Sequence, residues 1–210
     1  MTLKIHAFPL SPRGFKVLFA ANHLGLDYEL KLVNFAAGDN RTPEFTALNI
    51  NQRMPVLEED GYTLWESDAI LEYLAAKKPN AGLMPLDIKP RLQVTKWLYW
   101  DCAHWDQACA IFMFERVVKK LFNRGDEDPA EIARGSLLID RLAKVLDTEL
   151  GRHRYVAGDR LTVADFALVA PLGHSETARF PLEPYRGIAR WVADMKALPA
   201  WDKTTALQRG

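Results

Sequence analysis

The chain has no excess of charge, because its 210 residues include 27 lysines and arginines and 27 aspartates and glutamates. A chain without net charge has no general attraction to phosphate backbones or anionic lipid, so we expect neither nucleic acid nor a membrane among its partners. It also lacks an apolar run of the length that a signal peptide or a bilayer span requires. The expected location is therefore cytoplasmic.

Cysteine is scarce as well. Only Cys102 and Cys109 occur, seven residues apart on one predicted helix. That spacing fits neither a CxxC redox pair nor a zinc ribbon, so we expect both thiols to be reduced residues of the core. No metal site is predicted.

The residues that are present change their pattern near position 85. Before it, segments in which apolar residues have the spacing of a strand alternate with segments in which they have the spacing of a helix. Asp60-Gly61 marks a hairpin turn. The predicted elements, in order, are a strand at 3–7, a helix at 13–24, a strand at 28–32, a short helix at 43–48, a hairpin at 55–65 and a helix capped by Ser67. This order predicts a small mixed sheet with helices on both of its faces.

The remainder of the chain has helical spacing only. Residues 79–89 are rich in proline and glycine and are typical of a linker. The helices predicted after it cover 90–124, the segment from Asp128 to Gly151, the segment from Thr162 to Val169, and 185–198, with Pro199 ending the last one. The sequence therefore predicts one α/β domain followed by an all-helical domain.

Four motifs occur in a characteristic order: FPLSPR at 8–13, RMPVL at 53–57, ESDAI at 66–70 and GDRLTVAD at 158–165. Together they resemble the cytosolic glutathione transferases of the serine type, which are theta- and phi-like. The resemblance implies a thioredoxin-like α/β domain at 1–78 that binds glutathione, a linker at 79–89 and an all-α domain at 90–210 that shapes the electrophile site. It also implies a homodimer with a role in detoxification.

Ser11 is the candidate catalytic residue, because it follows the first strand and precedes the first helix. There its hydroxyl and the helix N-terminus would stabilise the thiolate of bound glutathione. An alternative is that Ser11 only caps the helix. A catalytic tyrosine is disfavoured because the first tyrosine is Tyr28, and a catalytic cysteine is disfavoured because the predicted N-terminal domain contains none.

Further glutathione contacts follow from the resemblance. Met54-Pro55 matches the family's cis-proline turn, whose backbone would pair with the cysteinyl part of glutathione like an added strand. Ser67 would take the γ-glutamyl carboxylate at a helix N-terminus, and Glu66 would take the ammonium. The remaining candidates are Arg13, Arg41 and Arg53.

Two positions depart from the family pattern. Arg53 stands where glutamine is common, and arginine donates hydrogen bonds but cannot accept one. Ile50 stands where the family usually has proline after Asn49. These departures keep open a non-catalytic binding or regulatory module, beside a transferase with peroxidase, isomerase or dehalogenase activity.

The electrophile pocket is predicted from aromatic residues alone. Its candidates are Leu10, Trp100, Trp105 and Phe112, although aromatic residues at helical spacing most often belong to a core. Thr162 and Asp165 match a structural N-capping box of the helical domain. We expect loss of such a cap to cost about 1 kcal/mol of stability and to leave the chemistry intact.

Overall fold

The computed structural model describes residues 3–208, which divide into two compact units. Among the described residues, the first unit comprises 3–84 together with 196–208, and the second comprises Pro85–Met195. None of the helices formed by residues 3–208 combines the length and the apolar character that a bilayer-spanning helix requires.

The first unit is built on a four-stranded sheet. Its elements are β1 (Leu3–Ala7), α1 (Pro12–His23), β2 (Tyr28–Leu32), α2 (Pro43–Leu48), β3 (Val56–Glu59), β4 (Tyr62–Trp65) and α3 (Ser67–Lys77). The strand order is β2-β1-β3-β4, with β1 and β2 parallel and the other pairs antiparallel. Asp60 and Gly61 have φ values of 52° and 80° in the β3–β4 turn, which confirms the predicted hairpin.

Alternation along β1 directs its side chains to two layers. Leu3, Ile5 and Ala7 are buried, whereas the ring of His6 contacts Phe45 of α2 at 6.3 Å between centroids. Helices α1 and α3 pack against each other and α3 contacts β3. The mixed sheet with helices on both faces is therefore as the sequence predicts.

The end of the chain packs differently from the prediction. A further helix, α11 (Pro199–Ala206), begins after the predicted last helix, and it contacts α1. The ring of Trp201 lies 5.0 Å from Phe15 and 5.3 Å from Phe19, and Asn22 donates a 2.9 Å hydrogen bond to the hydroxyl of Thr204. Pro199 thus starts a helix instead of only ending one, because proline fits the first helical position. The segment from Lys196, assigned by the sequence to the helical domain, belongs to the first unit.

The second unit is helical, as predicted. Its helices are α4 (Ile88–Trp100), α5 (Asp106–Phe112), α6 (Lys119–Leu121), α7 (Pro129–Leu150), α8 (Val163–Val169), α9 (Ser175–Ala178) and α10 (Arg186–Lys196). Two π-helical segments, Asp101–Trp105 and Met113–Val118, join α4, α5 and α6 into one nearly continuous helix. Side chains on one face of α7 fill the core, among them Ile139, Leu142 and Leu146.

Candidate active site

Three strand ends bring the predicted glutathione-binding elements to one edge of the sheet. His6 of β1 pairs with Val56 of β3, and Val56 pairs in turn with Trp65 of β4. The loop after β1 carries Ser11, the residue before Val56 is Pro55, and the residues after Trp65 are Glu66 and Ser67. Because antiparallel neighbours place the end of one strand beside the start of the next, these residues share one edge.

Ser11 is the N-cap residue of α1, with φ −76° and ψ 129°. Its backbone N–H donates to the carbonyl oxygen of Phe8 at 2.9 Å, and its own carbonyl accepts from Phe15 at 2.7 Å. Its half-buried side chain makes no capping hydrogen bond. The hydroxyl is therefore not used to cap the helix, and the first turn of α1, all of it described, carries no acidic side chain.

A close backbone contact holds the loop that carries Leu10 and Ser11. A Cβ atom added at Gly14 would lie 2.6 Å from the carbonyl oxygen of Phe8, which is closer than real Cβ atoms come. Glycine at this position lets the first turn of α1 approach the end of β1. Sequence reasoning missed Gly14, because a glycine within a predicted helix gives no sign of what it approaches.

The turn before β3 contains the predicted cis peptide bond between Met54 and Pro55. The loop ahead of it is held by two buried asparagines. The side-chain amide of Asn40 donates to the carbonyl of Gln52 at 2.9 Å, and that of Asn49 donates to the carbonyl of Arg53 at 2.6 Å. Both asparagines are therefore positioning residues of this turn, a role that sequence reasoning did not assign to them.

The start of α3 corrects one detail of the prediction. Glu66, not Ser67, is the N-cap residue, and Ser67 is the first helical residue. Glu66 has φ 73° and ψ 112°, a conformation that is rare for residues other than glycine and that is often found at functional sites. This backbone carries Ser67, 7% exposed, directly to the helix N-terminus, where an anion is favoured.

The three candidate arginines all lie on the surface. Arg13 is the second residue of α1, and Arg53 precedes Met54. Arg41 lines a surface depression together with residues that include Ile50, 83% exposed, and Trp65. Neither Ser11, Pro55 nor Ser67 lines this depression.

The electrophile-pocket candidates fall into two groups. Leu10 is half-buried in the first unit, and Trp100 is half-buried in the second, where its ring stacks on Trp105 at 5.9 Å. Trp105 is fully buried and donates from its indole nitrogen to the carbonyl of Leu168 at 3.0 Å. Phe112 is 1% exposed. Trp105 and Phe112 are therefore core residues of the second unit, because burying a large ring stabilises the unit itself.

The two cysteines differ from each other. Cys109 is buried as predicted, and burial raises the pKa of its thiol well above the usual range. Cys102 is exposed, in contrast to the prediction of a core residue. Among residues 3–208, no group of three or more His, Cys, Asp or Glu side chains is arranged to hold a metal ion.

The sheet order and the helical second unit place the chain among the two-domain proteins with a thioredoxin-like fold. Comparison with known proteins identifies the family within this class. The model of the glutathione S-transferase N-terminal domain matches residues 1–76, and that of the C-terminal domain matches residues 104–199. Over 212 residues the chain is 30% identical to glutathione S-transferase D7 of Drosophila melanogaster, covering 99% of this chain and 91% of that protein.

Solved structures of glutathione transferases have the same fold as this chain. Glutathione transferase F7 of Populus trichocarpa superposes with a TM-score of 0.90 at 26% identity and 99% coverage of both chains. A glutathione S-transferase of Pseudomonas fluorescens gives 0.85 at 29% identity, covering 95% of this chain and 97% of that one. The chain therefore belongs to the glutathione S-transferase family. It is a glutathione S-transferase enzyme, and glutathione is its co-substrate.

Proposed function

We propose that this enzyme conjugates glutathione to small hydrophobic electrophiles, with the Ser11 hydroxyl donating a hydrogen bond to the thiolate. The observation that carries this proposal is the Ser11 side chain, which stands at the start of α1 without serving as its cap. A thiol with its ordinary pKa near 8.5 is mostly protonated at neutral pH, and each unit of lowering reflects about 1.4 kcal/mol of preferential thiolate stabilisation. A charge-assisted hydrogen bond and the helix N-terminus both act in that direction.

The reaction is a displacement at carbon. The thiol proton leaves to solvent, the sulfur forms a bond to the electrophilic carbon, and the leaving group departs with the bonding electron pair. In the proposed complex, the backbone of Met54 pairs with the cysteinyl part of glutathione. Ser67 takes the γ-glutamyl carboxylate, Glu66 takes the ammonium, and Arg41 takes the glycine carboxylate. Arg13 and Arg53 would add positive charge beside the bound tripeptide.

The test is conjugation of a chloronitrobenzene by the wild type and by Ser11→Ala. We expect the variant to lose at least tenfold in rate at neutral pH, and the pKa of bound glutathione to rise by a unit or more. Ser11→Thr keeps a hydroxyl and should restore part of the loss. Ser136→Ala, which removes a hydroxyl that bonds to the carbonyl of Ile132 on α7, is the matched control. Equal activity of Ser11→Ala and wild type would remove the role of Ser11.

The choice of electrophile is the finer part of the proposal. Nucleophilic attack by the same thiolate also supports peroxidase activity on organic hydroperoxides and dehalogenation of haloalkanes. Rates on one substrate of each class, measured with the same preparation, would rank the three activities. Conjugation slower than both of the others would replace the proposed main reaction.

We also propose a cytoplasmic homodimer that acts in detoxification. Support for association comes from apolar side chains that the second unit leaves exposed, among them Leu92, Tyr99 and Leu137. Association that removes such side chains from water is favoured by the hydrophobic effect. Light scattering in dilute solution should give twice the chain mass, and a monomer would contradict the proposal.

A further inference from the structure

A buried ion pair joins α1 to α3 directly beside the proposed carboxylate site. The Nζ atom of Lys16 lies 2.7 Å from Oδ1 of Asp68, with 3% and 10% of the two side chains exposed. Lys16 belongs to the helix that starts after Ser11. Asp68 is the second residue of α3 and follows Ser67. The contact therefore connects the two helices whose first turns carry the thiol and carboxylate sites proposed above.

Stability alone does not explain this pair. Removing a lysine and an aspartate from water is costly, and a well-packed apolar pair in the same place is often as stable or more so. Stability therefore does not account for a buried ion pair here, whereas its place beside the proposed carboxylate site suggests a role in ligand binding.

Asp68 places a negative charge in the same helical turn that would receive an anion. It is the acidic residue of the first turn of α3, and the helix N-terminus favours negative charge there. A ligand carboxylate at Ser67 would share that turn with the Asp68 carboxylate. Two like charges within one helical turn repel each other appreciably in a partly buried site. Binding of the ligand thus requires a positive charge that compensates Asp68.

We propose that Lys16 is a positioning residue for glutathione: its ammonium neutralises Asp68, so that the start of α3 can accept the γ-glutamyl carboxylate. Lys16 acts through Asp68 and touches no reacting atom. This inference rests on the proposed binding of that carboxylate at Ser67.

The test uses calorimetry and steady-state kinetics on Lys16→Met, Asp68→Asn and the double variant. We expect Lys16→Met to weaken glutathione binding at least tenfold, which corresponds to 1.4 kcal/mol. The KM for the electrophile and kcat at saturating glutathione should stay within threefold of wild type. Asp68→Asn should bind glutathione at least as tightly as wild type, and the double variant should recover most of the loss of Lys16→Met.

Two controls separate charge from folding. Lys77→Met breaks the ion pair with Glu59 at the other end of α3, whose Nζ–Oε2 distance is 2.6 Å, and should leave glutathione affinity unchanged. The analogue 4-aminobutanoyl-cysteinyl-glycine lacks the γ-glutamyl carboxylate. It should bind wild type and Lys16→Met within twofold of each other.

Several outcomes would overturn the inference. Equal glutathione affinity of folded Lys16→Met and wild type would do so, as would an equal loss for glutathione and the analogue. If Lys16→Met does not fold, Asp68→Asn decides, because a threefold or greater weakening there contradicts the proposal. A wild type that binds no glutathione would remove the proposed function itself, which distinguishes that failure from failure of the Lys16 step alone.

Discussion

The Oδ1 atom of Asp165 accepts a 2.9 Å hydrogen bond from the indole nitrogen of Trp191, which links the start of α8 to α10. The same oxygen accepts from the backbone of Val156 at 3.0 Å, and Oδ2 accepts from the backbone and the hydroxyl of Thr162. Asp165 and Trp191 are both fully buried. The capping box that the sequence predicts at Thr162 is therefore also the junction of three segments of the second unit.

Replacing Asp165 by alanine should cost more than an ordinary helix cap. Four donors would lose their acceptor inside the core, and each unsatisfied buried donor costs about 1–3 kcal/mol. We expect the free energy of unfolding to fall by at least about 2 kcal/mol, measured by urea denaturation, with kcat of the folded fraction unchanged. Asp159→Ala, in the same motif but at an exposed position, is the control. A loss no larger than that of the control would contradict this role.

Stability should also depend on pH through this carboxylate. Burial raises the pKa of Asp165 to about 6, although its four hydrogen bonds act in the opposite direction. Because the folded pKa lies above the unfolded value of 3.8, the contribution of Asp165 is fully present below about pH 4 and is lost as pH rises through about 6. The difference in unfolding free energy between wild type and Asp165→Asn should therefore shrink over this interval. A difference that grows with pH would show that the pKa is lowered instead.

Gly14→Ala should destabilise the first unit despite the higher helix propensity of alanine. In an ordinary helix alanine is favoured over glycine by about 1 kcal/mol, but here the new methyl group would meet the carbonyl oxygen of Phe8 at 2.6 Å. The loop that carries Ser11 has to move, so we expect kcat to fall as well. Ala76→Gly, at an exposed site in α3, reports the ordinary propensity difference. A Gly14→Ala variant that is more stable than wild type and has a normal kcat would show that the loop can move without loss of stability or activity.

Asn49→Ala should loosen the turn before Met54. The variant loses the hydrogen bond to the Arg53 carbonyl and the one that Asn49 accepts from the Asn51 backbone. We expect the KM for glutathione to rise severalfold, while the KM for the electrophile changes little. Asn51→Ala, exposed in the same loop, should leave both constants near wild type. Equal effects on the two constants would point to general unfolding of the loop.

Local sequence signals predicted the first unit well. The alternation along β1, the Asp60-Gly61 turn and the short helix after Thr42 all reappear, because each is decided by nearby residues. The site was predicted as a set of motifs, and the strand pairing brings three of these motifs to one edge. The family resemblance supplied their roles, whereas spacing alone would have left Ser11 and Ser67 as helix caps.

The environment of individual side chains was harder to predict from the sequence. The rings of Trp100 and Trp105 stack on each other on the long helix, yet one is half-exposed and the other is core. Lys16 lies within an apolar helix face, and its sequence neighbours give no sign of a partner 52 residues away. Such contacts depend on which elements pack together, and the packing depends on residues throughout the whole unit.

The sequence by itself determined the order of strands and helices, the two-domain organisation and the family. Secondary-structure propensity, turns and motifs each depend on residues that are close together in the chain. Only the tertiary structure decided that α11 returns to α1, that Trp105 and Phe112 are core, and that Lys16 meets Asp68. The physical reason is that burial and ion pairing depend on distance in space. Residues far apart in the chain acquire these properties only when the sheet and its helices have packed.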